Sequence, residues 1–362
     1  MNYNRKLVLA DSTVFPGNGF GSSEEVVAEV IFHTGMTGYE HILTDPAYTE
    51  QAVVMTYPMV GNYGISQDEM DADSNGATAL IVKEYCEIPS NWRMVKSINE
   101  YMVERKIVGL SDVDTRALTI KIRETGTMRG IIVDENTSTE AALEKLNEKI
   151  NKQDSVKSVA PIASYKVVVK NKKFRVAYVA LGATSQAVIE ELVSRSCEVI
   201  VIPATRLTVD VLQSMNPDGI LIGNGPGNPK DVLDLVPVIA ELQKDYSIFG
   251  IGLGFQLIAL ANGATTSKMT FGHHGANVPV KDTFRNRTFI TQQNHLFMVD
   301  NESLANTNLV LTQFALNDNT VQGVTHAHYP VFGVQYMPEV HTGPADSKYL
   351  FDQFVDSLVK ND

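Results

Sequence analysis

The second half of the chain alternates two kinds of apolar pattern. From Arg175 onward, short runs that are apolar at nearly every position are separated by stretches with an apolar residue every three or four positions. The strand-like runs are FRVAYVALG, CEVIVIPA, DGILIGNGPGNP and IFGI, and the helix-like stretches are SQAVIEELVSRS, TVDVLQSM and VLDLVPVIAELQKD. Strands that are apolar on both faces, with helices between them, predict a doubly wound parallel sheet. The loops that carry function in such a sheet follow the carboxyl ends of its strands.

The first half has a different rhythm, with β-branched runs between frequent turn signals. LVLADSTVF, AEVIFHTG, QAVVMTYP, TALIVKEY and GIIVDENTS are strand-like, and SINEYMVERK, DTRALTIKIRE and STEAALEKLNEKINK are helix-like. This pattern predicts a mixed α/β domain over residues 1–150. Periodicity is lost over residues 151–172, which we interpret as a linker, and the parallel-sheet domain follows over residues 173–362.

Composition narrows the class of protein. A length of 362 residues favours two domains, and a net charge of −12 argues against binding nucleic acid. Two cysteines are too few for a disulfide framework or a metal cluster. The N-terminal apolar run is too short for a signal peptide, and the sequence contains no run of about 18 apolar residues that would predict a membrane helix. We therefore expect a cytoplasmic protein that binds neither nucleic acid nor membrane.

The stretch IFGIGLGFQLIALA, residues 248–261, combines a strand, a glycine turn and a helix. A dinucleotide-binding turn is one reading, but the third glycine of G-x-G-x-x-G falls on Phe255, and the later acidic residue is missing. Tight packing of a helix on its strand is a second reading. The third is a nucleophile elbow, which needs small residues two positions on either side of its apex. Gly250 and Gly254 meet that requirement around Gly252, although glycine carries no nucleophile.

Longer motifs then point to one family. They include FHTGMTGYEHILTDPAY, YPMVGNYGI, SNWR and GLSDVDTRALTIKIRETGTMRGII in the first half. The second half contributes NPDGILIGNGPGNP, IFGIGLGFQLIALANGATTSKMTFGHHGANVPV, QQNH and FGVQYMPEVHTGPADSKYLFDQF. From about Leu7 to Val359 the chain resembles the small, glutamine amidotransferase subunit of carbamoyl-phosphate synthetase. The resemblance implies a class I amidotransferase domain in the C-terminal half.

The resemblance also implies a catalytic triad that this chain lacks in part. Class I amidotransferases use a cysteine in G-x-C-x-G-H-Q, with a histidine and a glutamate in a later H-P-E. Here the nucleophile position is Gly252 and the base position is Met337, and only the carboxylate, Glu339, is retained. Glycine has no group to attack an amide, and a thioether accepts no proton at neutral pH. We therefore expect the amidotransferase activity to be lost.

The same resemblance places the glutamine-binding residues. Matching positions are Ala47, Gly225, Gly227, Leu253, Gln256, Asn294, Leu296 and Phe297. Ala47 stands where the family usually has serine, Leu296 replaces a glycine, Thr184 replaces a lysine and Phe255 replaces the histidine of the elbow. Larger apolar groups at positions 255, 296 and 337 are expected to crowd this site. Whether glutamine binds is left open by the sequence.

The sequence offers only poor candidates to replace the missing nucleophile and base. Cys197 in SRSCEVI is typical of a small buried residue, and Cys86 belongs to the other domain. His341 could act as a displaced base, but it has no thiol at the elbow to deprotonate. His273, His274 and His295 match family positions and are expected to form structural hydrogen bonds. No spacing supports a metal site.

Three functional hypotheses follow. The first is a non-hydrolysing small subunit that docks on the large synthetase subunit, which makes carbamoyl phosphate from bicarbonate, ATP and free ammonia. The second is an active glutaminase with an unrecognised nucleophile, and the third is a free-standing regulatory pseudoenzyme. The chain itself is expected to need no cofactor, since ATP and Mg²⁺ would be used by the large subunit. The sequence does not choose between arginine and pyrimidine synthesis.

Overall fold

The structure is a computed structural model that describes residues 4–66, 75–148, 155–182, 185–339 and 345–359. The chain divides into two compact units, Met1–Gln153 and Asp154–Asp362. Each unit combines helices with its own β-sheet. The predicted class, a mixed α/β domain followed by a second α/β domain with parallel strands, is confirmed.

The described part of the N-terminal unit is built on a closed seven-stranded barrel, in the order β1-β2-β8-β6-β4-β3-β9, with β5 and β7 paired separately. Its strands are β1 (Arg5–Leu9), β2 (Val14–Gly21), β3 (Val26–His33), β4 (Gln51–Met55), β5 (Met59–Val60), β6 (Ala79–Ile81), β7 (Glu84–Tyr85), β8 (Val108–Ser111) and β9 (Met128–Asp134). The run LVLADSTVF spans parts of β1 and β2 rather than forming one strand. Between them the chain reverses through Ser12, whose φ is +72°, and the Thr13 N–H bonds the Asp11 carboxylate at 3.0 Å.

The helices of this unit are α1 (Tyr39–Thr44), α2 (Ile98–Glu104), α3 (Thr115–Thr125) and α4 (Thr139–Glu148). The last three coincide with the predicted helical stretches. Ser97 and Glu100 form a capping box that fixes the start of α2. Helix α1 was not predicted because all six of its residues are buried, which removes the polar face that makes a helix periodic in sequence.

The C-terminal unit contains one ten-stranded sheet among its described residues, in the order β10-β12-β11-β13-β14-β19-β18-β17-β15-β16. Its strands are β10 (Tyr165–Val167), β11 (Phe174–Ala180), β12 (Cys197–Pro203), β13 (Gly219–Ile222), β14 (Ser247–Ile251), β15 (Thr266–Asp282), β16 (Arg287–Val299), β17 (Leu309–Ala315), β18 (Val321–His326) and β19 (Val331–Val334). Its helices are α5 (Ser155–Val159), α6 (Gln186–Ser194), α7 (Val209–Met215), α8 (Leu235–Leu242), α9 (Leu253–Ala261) and α10 (Tyr349–Ser357).

The four predicted parallel strands correspond to β11, β12, β13 and β14, and β19, which was not predicted, adds a fifth in parallel beside β14. A hydrophobic cluster covers each face, one containing Leu192 and Phe354 and the other containing Leu212 and Ile239. Beyond β19, four strands continue the sheet in antiparallel register. The carboxyl ends of β13, β14 and β19 therefore lie side by side.

The segment that we interpreted as a linker contains structure in its described part, from residue 155 onward. Helix α5 lies there, and β10 pairs antiparallel with β12 at the edge of the large sheet. The strand escaped sequence analysis because Tyr165 and Lys166 are exposed and Val167 is only half-buried, so no alternation of buried residues marks it.

Candidate functional site

The glycine turn is a strand–turn–helix elbow, as the sequence predicts. Gly252 lies between β14 and α9 with φ +57° and ψ −112°, a conformation that side-chain-bearing residues rarely adopt. Its N–H donates to the Val334 carbonyl at 2.9 Å, and its carbonyl accepts from the Gln256 N–H at 3.2 Å. The turn is thus held between the end of β19 and the first turn of α9.

The small residues around the apex permit a close backbone approach. A Cβ at Gly254 would overlap the Ile222 carbonyl oxygen, and a Cβ at Gly250 would lie 2.8 Å from the backbone nitrogen of Phe255. The Gly254 N–H donates to the Gly223 carbonyl at 3.2 Å. Helix α9 therefore starts directly against the end of β13, and the glycines at both positions are required by packing.

Asn224 occupies the space above the apex. It is half-buried and follows β13 in the loop GNGPGNP. Its side-chain oxygen accepts a hydrogen bond from the Leu253 N–H at 3.1 Å. An ideal Cβ built on Gly252 would overlap that oxygen and would lie 2.5 Å from Asn224 Cγ. Sequence analysis treated this loop only through its glycines and missed Asn224, although a polar residue at a strand's carboxyl end was a signal for it.

Gly225 and Gly227, which the resemblance assigns to glutamine binding, continue the same loop. Gly225 is half-buried and packs so closely on the Leu181 carbonyl that a Cβ there would overlap the carbonyl oxygen. Gly227 is exposed, with φ +91°. The loop is thus near Leu181 at one end and open to solvent at the other.

The residues that the resemblance assigns to the base and acid positions of a triad follow β19. Met337 is 4% exposed, and its N–H donates to the Gln292 carbonyl at 3.0 Å. Glu339 is also 4% exposed. Because Gly252 bonds Val334, the segment carrying Met337 and Glu339 leaves the sheet at the edge where the elbow lies. The thioether of Met337 offers at most a weak acceptor there.

Strand β16 carries three of the assigned glutamine-binding residues. Asn294 is buried, and its side-chain oxygen lies 2.7 Å from Nδ1 of His274. Leu296 and Phe297 are half-buried. The Phe297 carbonyl accepts from Gln256 Nε2 at 2.7 Å, which ties β16 to helix α9.

Four further residues were singled out in the sequence: Ala47, Thr184, Phe255 and His341. Ala47 belongs to the N-terminal unit, where it is buried in the 3₁₀ helix Pro46–Tyr48 and donates its N–H to the Asp45 carboxylate at 2.8 Å. Thr184 and His341 lie outside the described residues. Phe255 is fully buried in a cluster with Val299 and Val324. The hydrophobic core therefore accounts for its side chain, and crowding of the glutamine site by Phe255 is not supported.

Cys197 is poorly suited to act as a nucleophile. Cys197 is the first residue of β12, is fully buried, and has its pKa raised to about 11 by burial. A thiol with so high a pKa is almost entirely protonated at neutral pH and is a poor nucleophile. Cys86 is half-buried in the N-terminal unit.

Comparison with known proteins covers nearly the whole chain. Residues 7–132 match the family "Carbamoyl-phosphate synthase small chain, CPSase domain", and residues 180–357 match "Glutamine amidotransferase class-I". The carbamoyl phosphate synthase small chain of Oceanobacillus iheyensis is 45% identical over 356 residues, which cover 98% of this chain and 96% of the relative. The carbamoyl phosphate synthase pyrimidine-specific small chain of Bacillus subtilis is 42% identical over 354 residues, covering 98% and 96%.

The chain belongs to the carbamoyl phosphate synthase small-chain family. The boundary between the two compact units falls between the two family matches, so the barrel corresponds to the small-chain domain and the ten-stranded sheet to the amidotransferase domain. Within the described ranges of this small chain, no helix is long and apolar enough to cross a membrane.

The histidines for which structural hydrogen bonds were expected, His273, His274 and His295, are buried and hydrogen-bonded. His273 contacts Asp318 at 2.8 Å and the Gln293 side-chain oxygen at 3.0 Å, and His295 Nε2 lies 2.8 Å from the same oxygen. Although burial raises the pKa of Asp318, the hydrogen bond and charge of His273 lower it to about 2. Within the described residues, no group of three or more histidine, cysteine, aspartate or glutamate side chains is arranged to hold a metal ion.

Proposed function

We propose that this chain is the small subunit of a carbamoyl phosphate synthase, that its own glutaminase activity has been lost, and that it serves as a docking subunit. The synthase of which it forms part would take its nitrogen from ammonia. The observation that carries the proposal is that the elbow has no nucleophile at its apex and that another side chain fills the space where one would lie. Gly252 presents no side chain, and the space in which one would lie is filled by Asn224.

The base position supports the same conclusion. Met337 is buried and carries a thioether, so position 337 supplies no imidazole for the Glu339 carboxylate to orient. Loss of a single triad member costs about 10⁴ to 10⁶ in turnover in a well-studied protease. A chain that has replaced both nucleophile and base is left with attack by water.

The docking role is supported by the extent of the family match. The N-terminal unit matches the small-chain domain over residues 7–132, although the triad positions all lie in the C-terminal unit. A domain that contributes no triad residue is expected to be retained for association. The partner that the family implies is the large synthetase subunit, which would bind the ATP and Mg²⁺ used in the reaction.

The decisive experiment compares nitrogen sources. The chain is purified with its cognate large subunit, and carbamoyl phosphate synthesis is measured with glutamine and with ammonium. We expect a stable complex that uses ammonium and not glutamine, and a small subunit that releases no ammonia from glutamine above the rate in water.

Two results would overturn the proposal. Glutamine-dependent ammonia release that survives in the Cys86→Ser/Cys197→Ser variant would place the chemistry on another nucleophile. A chain that never associates with the large subunit in sedimentation would be a detached regulator rather than a docking subunit.

A further inference from the structure

The side-chain amide of Asn224 makes two contacts that are usually kept for a ligand or a nucleophile. Its oxygen accepts from the Leu253 N–H, the first amide of helix α9, at 3.1 Å. The same oxygen and Cγ occupy the volume of a residue-252 side chain, since an ideal Cβ there would overlap the oxygen and lie 2.5 Å from Cγ. The Asn224 side chain therefore fills the space at the apex and also accepts from the backbone donor there, the Leu253 N–H.

Because the Asn224 side chain ends in a carboxamide, its position at the elbow affects which ligands can bind there. The first backbone N–H groups of a helix have no partner within the helix and attract carbonyl or anionic oxygen. Asn224 offers a primary carboxamide, the same functional group that ends a glutamine side chain. A covalently attached carboxamide is present at high effective concentration, so it competes with any carboxamide ligand for the Leu253 N–H.

We infer that Asn224 is an internal plug of the elbow, which excludes carboxamide ligands such as glutamine by holding its own amide in their place. The inference rests on the proposed function, in which this elbow performs no hydrolysis. It goes further, because it assigns the exclusion of ligand to one residue that can be removed. Gly252 is what makes room for the plug, since any side chain at position 252 would displace Asn224.

A second asparagine in the same loop provides a matched control. Asn228 caps the 3₁₀ helix Pro229–Val232, and its side-chain oxygen accepts from the Lys230 N–H at 3.0 Å. It has the same side chain as Asn224 and a similar local hydrogen bond. No contact joins it to Gly252 or Leu253 among those that the structure describes.

The first test follows the Leu253 amide by hydrogen exchange in the full chain. Asn224→Ala should speed exchange at Leu253 about tenfold or more, as expected for loss of one hydrogen bond. Asn224→Asp keeps an acceptor oxygen and should preserve protection, and Asn228→Ala should leave Leu253 unchanged. Equal exchange at Leu253 in the parent and the Asn224→Ala variant would overturn the inference.

The second test measures binding of L-glutamine by titration of the same amide resonance. Removal of a competing internal group raises the apparent affinity by the reciprocal of the fraction of time for which the site is open in the parent. Asn224→Ala should therefore bind L-glutamine about tenfold more tightly than the parent, with Asn228→Ala as the control. Equal affinities of the parent and the Asn224→Ala variant for L-glutamine would overturn the inference that Asn224 plugs the elbow.

A double-mutant cycle tests the steric part of the inference without relying on ligand binding. Gly252→Ala should be markedly more destabilising with Asn224 present than in the Asn224→Ala background. Additive effects would contradict the plug. These outcomes are separate from the proposed function, which fails if the parent chain hydrolyses glutamine or never associates with the large subunit. Tighter binding by Asn224→Ala without hydrolysis is consistent with both.

Discussion

Gln256 in helix α9 donates a hydrogen bond from Nε2 to the side-chain oxygen of Gln335, 2.9 Å away inside the C-terminal unit. The same nitrogen donates to the Phe297 carbonyl at 2.7 Å. Gln335 immediately follows Val334, whose carbonyl accepts from the Gly252 N–H at 2.9 Å. The elbow and the segment leading to Met337 are thus joined by two hydrogen bonds, one from the Gly252 N–H and one from the Gln256 side chain.

Gln256→Leu should destabilise the protein by about 3 kcal/mol, because the Phe297 carbonyl and the Gln335 oxygen would each lose a buried donor at roughly 1–3 kcal/mol apiece. The measurement is the free energy of unfolding from urea denaturation. Gln213→Leu is the control, since Gln213 is exposed on helix α7 and its loss should stay within about 0.5 kcal/mol. Equal effects of the two substitutions would contradict the role of Gln256.

Gly252→Ala should cost more stability than Gly263→Ala. Both glycines have positive φ, +57° and +87°, so alanine is strained at either position, typically by about 1 kcal/mol or more. Only position 252 adds a steric conflict, with Asn224, whereas a Cβ at Gly263 has no atom within 4 Å. Comparing the urea midpoints of the two variants separates the cost of backbone strain, which both variants have, from the cost of steric overlap with Asn224, which only Gly252→Ala has. If Gly252→Ala were as stable as the parent, the elbow would not be held as described.

The sequence predicted this elbow well because its requirements are local. The strand ending at Ile251, the glycines at 250 and 254, and the apolar start of helix α9 all lie within one stretch. The parallel strands were found for a similar reason, since each is buried along its length and leaves an unbroken apolar run.

Other features depend on distant parts of the chain and could not be found from local pattern. Asn224 meets Leu253 only because β13 and β14 are neighbours, and nothing in GNGPGNP fixes the direction of its side chain. Phe255 stood beside the apex in sequence, yet the helix turns it toward Val299 and Val324. The antiparallel strands β15 and β16 contain many buried polar residues, which obscure the alternation expected of a strand.

Stability should fall as the pH drops from about 6.5 toward 4. Burial lowers the pKa of His274 to about 4, and burial together with the charge of His273 lowers the pKa of His295 well below its ordinary value. The unfolded histidines, with pKa about 6.5, bind protons in this window and the folded ones do not, so the stabilisation present above pH 6.5 is lost as the pH falls. For His274 the loss at pH 5 is about 2 kcal/mol relative to pH 7.5.

His274→Gln should flatten this dependence, even if it lowers stability at every pH. The measurement is the difference between unfolding free energies at pH 7.5 and pH 5. His328→Gln is the matched control, because His328 is exposed in this fold. A pH dependence that is unchanged by His274→Gln and reduced by His328→Gln would place the proton uptake at the surface instead.

If the proposed function is correct, introducing a thiol and an imidazole at positions 252 and 337 should give the chain a weak glutaminase activity. Gly252→Cys alone should do little, because a thiol of pKa about 8.5 is only a few per cent ionised at pH 7 and has no acid to protonate the leaving amine. The Gly252→Cys/Met337→His variant adds a base beside the retained Glu339 and should release ammonia from glutamine at a detectable rate. Adding Glu339→Gln to that variant should remove most of the gain, since the new imidazole would lose its orienting carboxylate.

The pocket should limit this repaired enzyme more than its triad does. Family resemblance places serine at position 47 and glycine at position 296, where this chain has Ala47 and the larger, half-buried Leu296. Adding Ala47→Ser and Leu296→Gly to the Gly252→Cys/Met337→His variant should therefore lower KM for glutamine more than it raises kcat, since these changes act on binding rather than on the reacting atoms. The same two changes in the parent chain should give no hydrolysis. Steady-state ammonia release is compared for the parent, the Gly252→Cys/Met337→His variant, and each of these with Ala47→Ser and Leu296→Gly added. Glutamine hydrolysis by the parent with Ala47→Ser/Leu296→Gly alone would show that activity does not require a nucleophile at position 252.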